Sequence, residues 1–316
     1  LSARTTFQMS KIIRIGTRDS ELALWQATTV QQKLEALGYD TILVPTKSMG
    51  DQVLDKPLYE LGVTGIFTKT LDVAMLKGDI DIAVHSMKDV PTQLPKGIVQ
   101  VAVLERAITH DILVHKGSSF LESDQPSTIA TGSLRRKAQW LNKYPHHKVV
   151  DLRGNVNTRL LKLIENDWQG AIFAQAGLER IKLLPKDAIQ LDWMIPAPAQ
   201  GAMLVVAMDN DAFTKDAVAQ LNHTETELAT TIEREFLRTL EGGCTAPIGA
   251  LAQIKDQKVY FEGVVFSLDG KQKIDIKKEV KLSDAQGLGK RSAEEVLQRG
   301  GDKLMQEIRN ENSTVH

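Results

Sequence analysis

Short apolar runs, each followed by a polar turn and then by helical periodicity, recur along this chain and call for an α/β fold. KIIRIGT (Lys11 to Thr17) reads as a strand, and Asp19 or Ser20 is placed to cap the helix that follows. In that helix Ala27, Val30, Leu34 and Leu37 fall on one face, and Gly38 supplies the stop. TILVP (Thr41 to Pro45) completes a βαβ unit. STIATGSLRRKAQWL (Ser127 to Leu141) echoes it as strand, Thr/Gly/Ser turn and tryptophan-bearing helix. VVDLRGNVNTRLLKLIE (Val149 to Glu165) and GAIFAQAGLERIKLL (Gly170 to Leu184) repeat the arrangement. Between these units IDIAV (Ile80 to Val84) predicts a buried strand that delivers Lys88 and Asp89 just beyond its C-terminal end, where open α/β sheets bind ligands.

Two stretches punctuate this pattern. RAITH separates the strands Ile98 to Glu105 and Asp111 to Lys116 and reads as a hinge, and IPAPAQGAMLVVAMD (Ile195 to Asp209) crosses back. Two crossovers between two α/β lobes describe a clam-shell like the periplasmic binding proteins. A helical stretch from Asp211 to Leu240 leads to LEGGCTAPIGA, then to antiparallel strands turning at Asp269-Gly270, and to a last amphipathic helix, Ala293 to Ile308, interrupted at Gly300-Gly301. The expected architecture is two periplasmic-binding-protein-like α/β lobes joined by hinge crossovers, plus a small C-terminal α+β domain. Residues 10–105 with 203–222 form the first lobe, 106–202 the second and 223–316 the third unit. Residues 47–65 lack periodicity and read as a mobile lid or a surface excursion, ahead of a helix from Phe67 to Leu76.

Composition narrows the function classes. Charged residues are 25% with a formal net charge of −1, so no basic excess points to nucleic acid. A single cysteine excludes an intrachain disulfide framework and multi-cysteine metal sites. No run approaches the roughly 18 apolar residues of a membrane span, and the N-terminal stretch lacks the apolar centre of a secretory signal, which makes the cytoplasm the expected compartment. The polar segment before Met9 reads as a leader or appended tail and stands apart from the fold.

Arginines gather at the strand-to-helix junctions: Arg18 beside Ser20, Arg135 and Arg136, Arg153, Arg159 and Arg180. Each alone also fits a solvated side chain, and Ser20 a simple helix cap. Two adjacent cations in the first turn of a helix, as at 135 and 136, oppose the macrodipole, a placement that makes sense with a polyanionic ligand. Arginine suits carboxylate or phosphate because its planar fork donates two parallel hydrogen bonds. No Walker-type or GxGxxG loop favours a nucleotide. Cys244 follows Gly242 and Gly243; it reads either as a buried small hydrophobe or as an exposed thiol tether.

IRIGTRDSELALWQA, HSMKDVP, TGSLRRKAQW, LRGNVNTRL, AGLERI and LEGGCTAPIGA, in this order from Arg14 to Ala250, closely resemble the porphobilinogen deaminase (hydroxymethylbilane synthase) family. The resemblance implies an enzyme that joins four porphobilinogen molecules head to tail, with loss of ammonia, into linear hydroxymethylbilane for haem biosynthesis. It implies a dipyrromethane cofactor in thioether linkage to Cys244 and Asp89 as the catalytic residue. Lys88, Arg18, Ser20, Arg135, Arg136, Arg153, Arg159, Arg180, Phe67 and Ser133 would bind substrate and cofactor. It further implies a cytoplasmic monomer without metal, nucleic-acid or membrane partner, whose product passes to uroporphyrinogen-III synthase. Each pyrrole carries two carboxylates, so a full chain on a two-ring primer presents up to twelve, which accounts for the many arginines. Thr64 stands where many family members have lysine. The alternative from another class is a non-catalytic clam-shell binding protein for a small polycarboxylate; Asp89 together with Cys244 separates the two.

Overall fold

The computed structural model describes residues 11–47, 68–241 and 246–314. The first lobe is built on β1 (Ile13–Arg18), α1 (Glu21–Ala36), β2 (Thr41–Thr46), α2 (Lys69–Leu76), β3 (Ile82–Ser86) and β4 (Ile98–Val103). The second contains β5 (Asp111–His115), β6 (Thr128–Ala130), α3 (Leu134–Lys143), β7 (Lys148–Val150), α4 (Val156–Glu165), β8 (Gly170–Ala174), α5 (Gln175–Arg180) and β9 (Ile189–Gln190). The chain then returns through β10 (Met203–Met208) and α6 (Ala212–Ala219) to the first lobe.

The two sheets share one plan. The first has the order β2-β1-β3-β10-β4 and the second β7-β6-β8-β5-β9. In each, three parallel strands are followed by one antiparallel strand, β10 or β5, and then by an edge strand that runs with the first three. The echo between the two strand–turn–helix stretches thus reflects two copies of one topology. Period-two alternation explains why both faces are covered. Ile13, Ile15, Ile82, Val84 and Val205 pack with α1 and α6, while Ala83, Leu204 and Val206 point the other way, with Leu71 and Met75 of α2.

The crossings touch each other where Ala107 N donates to Gly201 O at 3.2 Å. Gly201 has φ +86°, and a Cβ there would lie 2.7 Å from the Ala107 carbonyl oxygen, so this contact requires glycine.

The third unit comprises α7 (Thr224–Thr239), the antiparallel sheet of β11 (Ile248–Lys255), β12 (Lys258–Phe266) and β13 (Lys273–Lys281), then α8 (Leu288–Val296) and α9 (Asp302–Thr314). It meets the second lobe where Asn142 Nδ2 donates to Gly270 O at 2.8 Å.

Four local expectations change. The helical stretch 211–240 is two helices, because the His223 side chain caps α7 by accepting from Thr226 N and Asn222 Oδ1 turns back to accept from Val103 N. β11 replaces what read as the tail of a glycine loop; Gly249, Ala250 and Ala252 are too small to display strand alternation, and a Cβ on Gly249 would lie 2.9 Å from Ile195 O. The strand read at 80–84 starts at Ile82, since Asp81 instead pairs with Arg14. The last helix does break at the expected glycines, with Gly300 at φ +100°, but continues to Thr314. No helix among the described residues is long and apolar enough to cross a membrane.

Candidate functional site

β3 is buried along its length and ends at Ser86, whose Oγ accepts from Gln26 Nε2 of α1 at 2.9 Å. A single 3-10 turn, Met87–Asp89, follows. Met87 is sunk in the core, and this anchor leaves Lys88 and Asp89 half-buried above the sheet's C-terminal edge. Lys88 Nζ donates to Gln200 Oε1 at 3.2 Å. Gln200, fully buried in the return crossing, donates through Nε2 to Thr109 O at 2.7 Å and to Asp111 Oδ1 at 3.0 Å. Asp111 opens β5 and holds both Arg135, Nη1 to Oδ2 at 2.7 Å, and Arg136, Nε to Oδ1 at 2.9 Å. One polar chain therefore runs from the Lys88 turn across both crossings to the second lobe.

The arginine pair is not solvated. Arg135 and Arg136 are 5% and 6% exposed, and each also donates to a backbone carbonyl, Ile195 O and Ile172 O. Burial would push the Asp111 carboxyl up, but the two guanidiniums reverse this and hold it well below the usual carboxylate range. Burial and the nearby Arg136 lower the Lys88 ammonium to about 8, against the opposing pull of Asp89 and Asp111. Arg159 of α4 falls to about 10 through burial and then Arg136; Asp89 opposes the shift, and Arg153 and Arg18 add to it. These mutual influences bring Arg18 and Asp89 of the first lobe together with Arg136, Arg153 and Arg159 of the second. His85, buried beside Arg18, is pushed down to about 4 by desolvation and then by that charge, so it is neutral at pH 7.

Other expected site residues take different places. Ser20 occupies the N-cap position of α1 without a side-chain cap bond, whereas Ser133 caps α3 by accepting from Arg136 N. Arg180 ends α5, donates to Gly201 O at 2.7 Å and lies over the Trp25 ring. Phe67, Thr64 and Cys244 lie outside the described residues.

A family model described as "Porphobilinogen deaminase, dipyromethane cofactor binding domain" matches residues 13–216, and one described as "Porphobilinogen deaminase, C-terminal domain" matches residues 227–298. This chain belongs to the porphobilinogen deaminase family. The porphobilinogen deaminase of Syntrophotalea carbinolica is 41% identical over 301 residues, covering 94% of this chain and 96% of its own. That of Chloroherpeton thalassium is 40% identical over 316 residues, covering 96% and 100%. Among solved structures, an ancestral cationic amino acid solute binding protein covers 66% of this chain and 87% of its own at 13% identity, with a TM-score of 0.43.

The residues present fit the deaminase family's dipyrromethane. Lys88, Arg18, Arg135, Arg136, Arg153 and Arg159 gather in one region with Asp89, Asp111 and Asp151, and after burial the neighbouring guanidiniums further lower Lys88 and Arg159. A ligand bearing several carboxylates would pair with these cations. Among the described residues no cluster suits a metal ion.

Several residues that shape this deaminase site escaped the sequence reading. Asp111 was visible as a charge heading an otherwise apolar strand, a placement that asks for buried partners. Gln200 sat beside the prolines that marked the crossing. Glu233 lies on the apolar face of α7 beside Ala229, Ile232 and Phe236, where a carboxylate needs a cation.

Proposed function

We propose that this chain is a hydroxymethylbilane synthase that joins four porphobilinogen molecules head to tail on a dipyrromethane carried by Cys244. The observation that carries this reading is the gathering of Asp89 and Lys88 with Arg18 of the first lobe and Arg136, Arg153 and Arg159 of the second. When bound, the dipyrromethane supplies the pyrrole carbon to which the first substrate is joined. The residues of the chain do the rest. As ammonia leaves the aminomethyl carbon of porphobilinogen, positive charge spreads over its pyrrole ring, and the Asp89 carboxylate stabilises that charge. The same carboxylate exchanges the protons gained by the leaving amine and lost from the ring.

Lys88, Arg18, Arg153 and Arg159 take substrate and cofactor acetates and propionates, with Ser20, Phe67 and Arg180 at the margins. Arg135 and Arg136, locked to Asp111, act with Ser133 at the head of α3 as a fixed positive wall. In this reading residues 10–105 with 203–222 carry the acid–base chemistry, 106–202 the carboxylate-binding arginines and 223–316 the cofactor anchor. The enzyme works as a cytoplasmic monomer and passes its linear product to uroporphyrinogen-III synthase. The direct test is incubation with porphobilinogen: one tetrapyrrole should form for every four ammonia molecules released, and the absence of ammonia release would reject the reading.

The Lys88 shift gives a pH dependence. A lysine lowered to about 8 is charged below that pH and neutral above it, so its hold on a substrate carboxylate disappears as the pH rises through about 8. The kcat/KM for porphobilinogen should fall over that range, and Lys88→Arg, which stays charged, should remove this fall. The same alkaline fall in Lys88→Arg would place the titration elsewhere.

A further inference from the structure

The turn that bears Lys88 and Asp89 has little regular structure to hold it. It follows the last residue of β3, consists of one 3-10 turn and runs into Pro91, which has no N–H and forces Val90 into an extended conformation at φ −91°, ψ 129°. Met87 O accepts from Val90 N at 3.2 Å within the turn, whereas the carbonyl oxygens of Val90 and Pro91 lie beyond it and require donors from elsewhere. Those donors come from the third unit. Arg234, midway along α7, donates from Nη1 to Met87 O at 3.3 Å and to Val90 O at 2.9 Å, and from Nη2 to Pro91 O at 2.7 Å. One planar guanidinium thus grips the backbone on both sides of the Lys88-Asp89 pair.

The helix that presents Arg234 is itself fixed at the adjacent residue. Glu233 is fully buried and accepts from Arg106 of the first crossing, from Ala199 N of the return crossing and from Ala252 N of β11. Five residues after Arg234, α7 ends at Thr239, and Cys244 follows five residues later in the sequence. A single helix therefore joins the crossings, the 87–91 turn and the approach to the cofactor anchor.

We infer that Arg234 is a positioning residue that sets the register of Asp89 against the cofactor-bearing unit by clamping the 87–91 backbone. This rests on the reading of Asp89 as the catalytic carboxylate. The guanidinium suits such a clamp on two counts. Burial and the neighbouring Arg238 lower it only to about 10, so it stays charged at pH 7, and its planar fork can serve three acceptors where an ammonium cannot reach them together. Beside it lies a cavity of about 140 Å³ lined by Met87, Thr92, Gln100, Thr231, Glu235 and Arg238. That space lets a small ion reach the clamp from solvent, which makes chemical complementation practicable.

The test uses cofactor-loaded enzyme. Arg234→Ala should lose roughly tenfold or more in kcat, because a shift of the carboxylate by a fraction of an ångström is costly, while KM changes less than about twofold and the intact mass still shows the cofactor. Millimolar guanidinium chloride should restore part of the lost kcat in Arg234→Ala and leave the wild type unchanged; urea, of similar size but neutral, should not. Arg234→Lys should fall between wild type and Arg234→Ala, and it serves if the alanine variant is poorly folded. Unchanged kcat in either variant overturns the inference, as does a loss that guanidinium does not relieve or one that follows loss of cofactor. Asp89→Glu, assayed alongside, separates the two levels: reduced turnover there with full-speed Arg234→Ala rejects the positioning role alone. Full-speed Asp89→Glu removes the reading beneath it and the inference with it.

Discussion

Asp89→Glu should lower turnover about 100-fold while leaving the cofactor attached and the fold intact. The turn that carries the residue is short and held at both ends, by Met87 in the core and by carbonyl bonds to Arg234, so the longer side chain cannot be absorbed by backbone movement. The extra methylene displaces the carboxylate by about an ångström from the place where positive charge develops on the substrate. Charge, hydrogen-bonding capacity and the electrostatic balance with Arg159 are retained, so the variant isolates position. Steady-state kinetics with intact-mass analysis of the same sample checks this. Wild-type turnover would remove Asp89 from the chemistry.

The second large effect concerns stability. Glu233→Gln should destabilise the protein by about 3–5 kcal/mol. Glu233 is 0% exposed and its two oxygens receive four hydrogen bonds: two from Arg106, at 2.7 and 2.9 Å, and one each from Ala199 N at 2.6 Å and Ala252 N at 2.7 Å. An amide keeps the shape but brings an NH₂ against donors and strips the partly buried Arg106 of its counter-charge. Ala199, held at φ +63°, loses the bond that fixes this uncommon conformation for a non-glycine residue. Both crossings and the third unit meet at this carboxylate, so the effect should appear as a fall of roughly 10 °C in the thermal midpoint. An unchanged midpoint would mean that the crossings are held chiefly by other contacts.

The parts of the fold that were legible are those in which one local signal decides. Apolar runs with polar turns predicted the strands of both lobes except the two-residue β9, and the proline-rich crossing stood out because 195–202 can be neither helix nor central strand. β11 was hidden because its residues are small, and small residues are there because Ile195 and its carbonyl lie against it. The arginines were visible as types and spacings, yet their division of labour was not. Nothing local to LRRKAQW says that Arg135 and Arg136 spend donors on Asp111, 24 and 25 residues earlier, while Arg159 is left beside Asp89. Gln200 and Arg234 were missed for the same reason. Each acts on the 87–91 turn from more than a hundred residues away, and a glutamine between an alanine and a glycine or an arginine in a helix has no sequence context that sets it apart.

The central claim, catalysis on a dipyrromethane tethered to Cys244, is tested most directly by the intact mass of the purified protein beside that of Cys244→Ala. The account predicts an excess over the polypeptide equal to two porphobilinogen units less two ammonia molecules, present in the wild type and absent in the variant. If the wild type shows the bare polypeptide mass and still acquires no covalent load after incubation with porphobilinogen, the claim is contradicted.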